Sequence, residues 1–77
     1  MFKISFIPAS NFRGSRVRIE DMWNKQKVIH SYNHDYRDME TQARHFLGSK
    51  GIEISADSAD RKHNQYLLAE NFDIPIK

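Results

Sequence analysis

Cysteine is absent from the 77 residues, so disulfide staples, thiolate metal sites and cysteine nucleophiles are all excluded, and nothing about the redox compartment follows. No apolar run approaches the roughly 20 residues needed to cross a bilayer. Met1 to Ile7 alternates apolar and polar residues and stops at Pro8, too short and too polar for a signal peptide. The expectation is a cytoplasmic protein with no membrane partner. The G-x-x-x-x-G-K-[ST] and G-x-G-x-x-G patterns are missing, no serine sits in a G-x-S-x-G elbow, and the acids are too scattered for paired-carboxylate chemistry. Neither a cofactor nor an enzymatic activity is therefore expected, and the chain has no internal repeat, low-complexity tract or linker.

What is present is apolar material and an uneven charge. Five Phe, three Tyr and one Trp within a hydrophobic fraction of 39% are too much for a disordered chain. The length allows one domain, residues 1–70 with a loose or docking tail at 71–77, burying roughly 60% of the unfolded surface. Net charge is +2. Its basic part lies at the front, where Lys3, Arg13, Arg16 and Arg18 precede the first acid, Glu20. Such a surplus permits an anionic partner and also keeps small domains soluble.

Phe2, Ile4 and Phe6 share one face of a first strand that ends at Pro8. Residues 9–15 turn, with Gly14 the residue best able to take positive φ. A second strand from Arg16 to Met22 points Val17 and Ile19 one way and Arg16, Arg18 and Glu20 the other. Asn24-Lys25-Gln26 reads as a hairpin turn, and Lys27 to Tyr32 as a third strand. Tyr36, Met39, Ala43, Phe46 and Leu47 follow the i, i+3, i+4, i+7 spacing of one helical face. They predict a core-facing helix from Tyr36 to Leu47, with caps available at Asn33, Asp35 and Asp38 and a stop at Gly48 or Gly51. Ile52 to Ser55 suggests a fourth strand and Ala56 to His63 a loop. Gln65 to Ala69 fits either strand or helix and is taken as a strand because its apolar run is short. Phe72, Ile74 and Ile76 offer a tail that docks on a neighbour. The predicted fold is α+β: a small two-layer domain in which an antiparallel sheet, in the order β-β-β-α-β-β, carries one helix on a face.

Three constellations are candidates for function. Asn11, Gly14 and Ser15 form a glycine-bearing loop whose successive N–H groups suit an anion, although the loop feeds a strand rather than a helix and is more simply an ordinary turn. Arg13, Arg16, Arg18, Lys25 and Lys27, with Phe12 and Trp23 to stack on bases, compose a nucleic-acid stripe, or else a solvated sheet face interrupted by Glu20 and Asp21. His30, His34, His45 and His63, with Asp35, invite a metal reading. His30 and His34 have H-x-x-x-H spacing but fall on a strand end and a loop, so the helical geometry is not supplied. A strand pair followed by a helix, with His30, Asn33 and His34 at the junction, loosely resembles ββα-metal nucleases, although that family's glutamate-histidine and zinc-knuckle patterns are missing.

The segment FIPASNFRGSRVRI, Phe6 to Ile19, resembles the opening of small bacteriophage- and prophage-encoded proteins. In these a strand ending in proline is followed by a Ser/Thr-Asn pair, a Gly-Ser/Ala-Arg step and an alternating strand. Pro8, Ser10, Asn11, Gly14, Ser15 and Arg16 carry the likeness, over about a fifth of the chain. The resemblance implies a phage accessory protein, brings no activity or site residues with it, and makes the loop a structural corner in which Arg16 bonds loop carbonyls. The leading expectation is thus a non-enzymatic protein that binds a host or phage macromolecule or forms a homodimer through a strand edge or its tail. A nucleic-acid-binding module is the alternative and a metal-dependent nuclease the distant one.

Overall fold

The computed structural model describes residues 1–59, 64–70 and 74–76. Its elements run β1 (Phe2–Ile7), β2 (Arg16–Asp21), β3 (Gln26–Ser31), α1 (Met39–Ser49), β4 (Ile54–Ala59) and β5 (Gln65–Ala69). The strands form one antiparallel sheet in the order β3-β2-β1-β5-β4, which puts the first strand in the middle. This is the expected α+β domain, and Gln65 to Ala69 is a strand.

Alternation along each strand decides which face is covered. Phe2, Ile4, Val17, Ile19, Leu67 and Ala69 point to the helix side and are buried with Ala43 and Leu47 of α1. Met39 and Phe46 pack at the margin of this core. Ile76, expected to dock on a neighbour, is instead buried in the chain's own core, and its N–H donates to Gln26 Oε1 at 3.0 Å. Ile74 packs beside it, whereas Phe72 and His63 lie outside the described residues.

Several boundaries differ from the sequence reading, each for a local reason. The helix begins at Met39 rather than Tyr36 because Asp38 caps it in extended backbone, its Oδ1 accepting from the Thr41 N–H at 2.8 Å. The Thr41 hydrogen bonds, with help from Arg37, hold the Asp38 carboxyl below its ordinary value of 3.8. Tyr36 falls in the preceding turn, half-buried, with its hydroxyl 2.8 Å from His45 Nδ1. At the other end the helix runs through Gly48 to Ser49, and Gly51, at φ 85, makes the exit. There the Ile52 N–H reaches back to the Leu47 carbonyl at 3.1 Å while both side chains are buried, a Schellman closure.

The β2–β3 loop is Met22 to Lys25, with Gln26 already in β3. Buried Asp21 organises it by accepting from the Trp23 and Asn24 N–H groups at 3.0 and 3.1 Å, and Lys25 takes φ 56. Ala56 to Ala59, expected as loop, belongs to β4, an edge strand bulged between Ile54 and Ala56 and exposed along most of its length, so no apolar alternation marks it. Gly14 has no positive φ, and a Cβ added there would meet nothing.

Candidate nucleic-acid interface

Alternation that sends the apolar set to the helix sends a second set to the opposite face, which no described element covers. Register builds this face row by row. Lys3 pairs with Glu20, and Glu20 with Lys27; Ser5 pairs with Arg18, and Arg18 with Ile29; Ile7 pairs with Arg16, and Arg16 with Ser31. On the other flank Tyr66 lies beside Lys3, Ser58 beside Tyr66, and Ala56 beside Leu68.

The face therefore has two halves. Over β1, β2 and β3 stand the cations Lys3, Arg16, Arg18 and Lys27 against one acid, Glu20. Glu20 lies 3.1 Å from Arg18 Nε, with a lysine as its cross-strand neighbour on each side. Over β4 and β5 lies a shallow depression of about 280 Å³ lined by Met1, Ala56, Asp57, Ser58, Tyr66 and Leu68. Strand spacing of about 4.8 Å puts the cationic and apolar halves within roughly 15 Å of each other.

Of the residues expected in the stripe, Arg16, Arg18 and Lys27 are brought together on this face. Phe12 and Arg13 lie in the β1–β2 loop at one end of β2, and Trp23 and Lys25 in the hairpin at the other. Phe12 is 95% exposed and Trp23 68% exposed. Lys3, Ser5 and Tyr66 were missed by sequence reasoning. Lys3 and Ser5 are the polar positions of the first strand's own alternation and become neighbours of Glu20 and Arg18 only through the antiparallel register.

The loop reading changes. Ser10 N–H donates to the Arg13 carbonyl at 2.8 Å and the Ser15 carbonyl accepts from Tyr32 N–H, while Asn11 is exposed with no hydrogen bond among the described residues. Gly14 supplies no left-handed turn, and Arg16 Nε bonds no loop carbonyl.

The described histidines, His30, His34 and His45, each lie against an aromatic ring. His30 packs on Phe46 with centroids 4.7 Å apart, His34 on Tyr32 at 4.8 Å, and the Asp35 N–H is turned onto Asn33 Oδ1. Among the described residues no group of three or more His, Cys, Asp or Glu is placed to hold a metal ion. A cleft of about 370 Å³ beside the helix does join His30, Asn33, Tyr36 and His45. Much of its polar lining is bonded internally: Gln42 bridges the Ser31 carbonyl and the Asn33 N–H at 2.9 Å each, and Tyr36 bonds His45.

The fold and this face define a small α+β domain with a one-sided sheet. Compared with known proteins, the chain matches no family model, no curated protein and no solved structure. Among the described residues no helix is long and apolar enough to cross a membrane.

Proposed function

We propose that this chain is a small non-enzymatic binding module that holds single-stranded nucleic acid against the uncovered face of its sheet. The observation that supports this is the pairing of a cationic half, Lys3, Arg16, Arg18 and Lys27, with an apolar half containing Tyr66 and Leu68. Phosphates need the first and unstacked bases the second, which is the combination used by proteins that track single strands. A duplex buries its bases and gains only from the cations. The likeness of Phe6 to Ile19 to phage and prophage proteins supports an accessory role for such a module.

Anisotropy of a labelled oligothymidylate tests this. Saturable binding that weakens with salt is expected, with a slope of about 0.7 for each phosphate neutralised. The slope should fall when Arg16 and Arg18 are replaced together by alanine. No binding at low salt contradicts the reading.

A second reading, recognition of a host or phage protein, is favoured by the edge position of β3, whose strand is exposed along most of its length and carries exposed Ile29. A partner that adds a strand there uses main-chain groups. Its binding would survive loss of Arg16 and Arg18.

A further inference from the structure

The centre of the uncovered face contains polar atoms that the fold leaves unsatisfied. Ser5 lies on the middle strand and is only 4% exposed, yet its Oγ has no hydrogen-bond partner among the described residues. The buried Nε atoms of Arg16 and Arg18 lack one as well. Arg18 is the cross-strand neighbour of Ser5, and Arg16 follows on the same face of the same strand. Arg18 Nε is close enough to Glu20 for an ion pair, at 3.1 Å, but out of line for a hydrogen bond.

Buried donors without acceptors are rare, and each asks for a partner. Here a hydroxyl and two guanidinium N–H groups occupy adjacent positions, and two full positive charges accompany them. The complement is a compact anion with several acceptor oxygens. Guanidinium groups meet phosphate oxygens side-on, through Nε–H together with a terminal N–H, in a geometry that a lysine ammonium does not reproduce.

We propose that Ser5, Arg16 and Arg18 form a phosphate subsite at the centre of the sheet face, in which the serine hydroxyl and both Nε–H groups donate to the oxygens of one phosphoryl group. Glu20 competes for Arg18 in the free protein. The lysines on either side of Glu20, Lys3 and Lys27, are placed to take it up when the phosphate arrives. The subsite deepens the nucleic-acid reading by locating a backbone phosphate, and inorganic phosphate presents the same chemistry from another source.

The side-chain Nε–H resonances of the isotopically labelled protein, titrated with inorganic phosphate, with a short oligothymidylate and with sodium chloride at matched ionic strength, test this directly. Arg16 and Arg18 should shift saturably with phosphate and with the oligonucleotide, while Arg37 and Arg44 stay still. Ser5→Ala should weaken phosphate binding about tenfold, as expected for one hydrogen bond to a charged group. Arg18→Lys, which keeps the charge and loses the Nε–H, should weaken it similarly, and Glu20→Gln should tighten it. If chloride reproduces the shifts, or if Ser5→Ala and Arg18→Lys bind phosphate as the parent does, the subsite is overturned. Oligonucleotide binding with both Nε–H signals unmoved by oligonucleotide and by phosphate alike also overturns it and spares the nucleic-acid reading. Shifts with inorganic phosphate, with no oligonucleotide binding at all, sustain the subsite and remove that reading.

Discussion

The two faces of the sheet are made by the same strands, yet they solve different problems. On the helix side Ile4, Val17, Ile19, Leu47 and Leu67 are buried to within 1% of completion, and Ile76 closes over them from the far end of the chain. On the open side Arg16, Arg18 and Glu20 are half-buried, Arg18 against Glu20, and Ile29 and Leu68 remain 45% exposed. The difference puts the buried apolar cluster in one layer, and the chain's stability is assigned to it. The open layer carries charge and, at its centre, buried Ser5 and partnerless polar atoms.

If that division is right, substitutions should separate into those that unfold and those that unbind. The largest effect belongs to the covered face. Leu47→Ala should cost about 2–5 kcal/mol in urea unfolding, a large part of the roughly 5–15 kcal/mol that a domain possesses. Next come Arg16→Ala and Arg18→Ala, each expected to weaken oligothymidylate binding by about tenfold at low salt while moving the unfolding midpoint by the equivalent of less than about 1 kcal/mol. If either unfolds the protein, the open face is structural after all.

The helix entrance provides a smaller test within the covered layer. Asp38→Ala should cost about 1 kcal/mol. Because the folded pKa of Asp38 lies below its ordinary 3.8, the cap's contribution is complete above that value and is lost as the pH falls through the folded pKa. Acid unfolding of the Asp38→Ala variant should accordingly be flatter than that of the parent below pH 3.8.

Smallest is Gly14→Ala. The site has open space and no positive φ, so the substitution should stabilise by about 0.4–1 kcal/mol through the unfolded chain. Gly51→Ala should destabilise, since φ 85 disfavours a side chain there. Thermal melts of the two variants should shift in opposite directions.

The apolar spacing of Phe2 and Ile4, of Val17 and Ile19, and of Ala43, Phe46 and Leu47 made the covered layer legible, since one buried face leaves a periodic mark, although Phe6, which continues the first strand's spacing, is 47% exposed. Strand β4 left no such mark because, apart from half-buried Ile54, it is exposed; its place is set by pairing with β5. The helix start was blurred because Tyr36 continues the apolar spacing while its hydroxyl bonds His45 from outside the helix. Of the candidate site, Arg16, Arg18 and Lys27 were visible as alternate positions of their strands. Ser5 and Tyr66 were not, because their proximity to those cations is a matter of strand order and register rather than of spacing along the chain.

The most direct measurement follows methyl groups on both faces during titration with oligothymidylate. Ile7, Ile29 and Leu68 report the open face, and Val17, Ile19 and Val28 the covered one. Saturable shifts confined to the first set are the predicted result. Shifts centred on the second set, or none in either, would contradict the account.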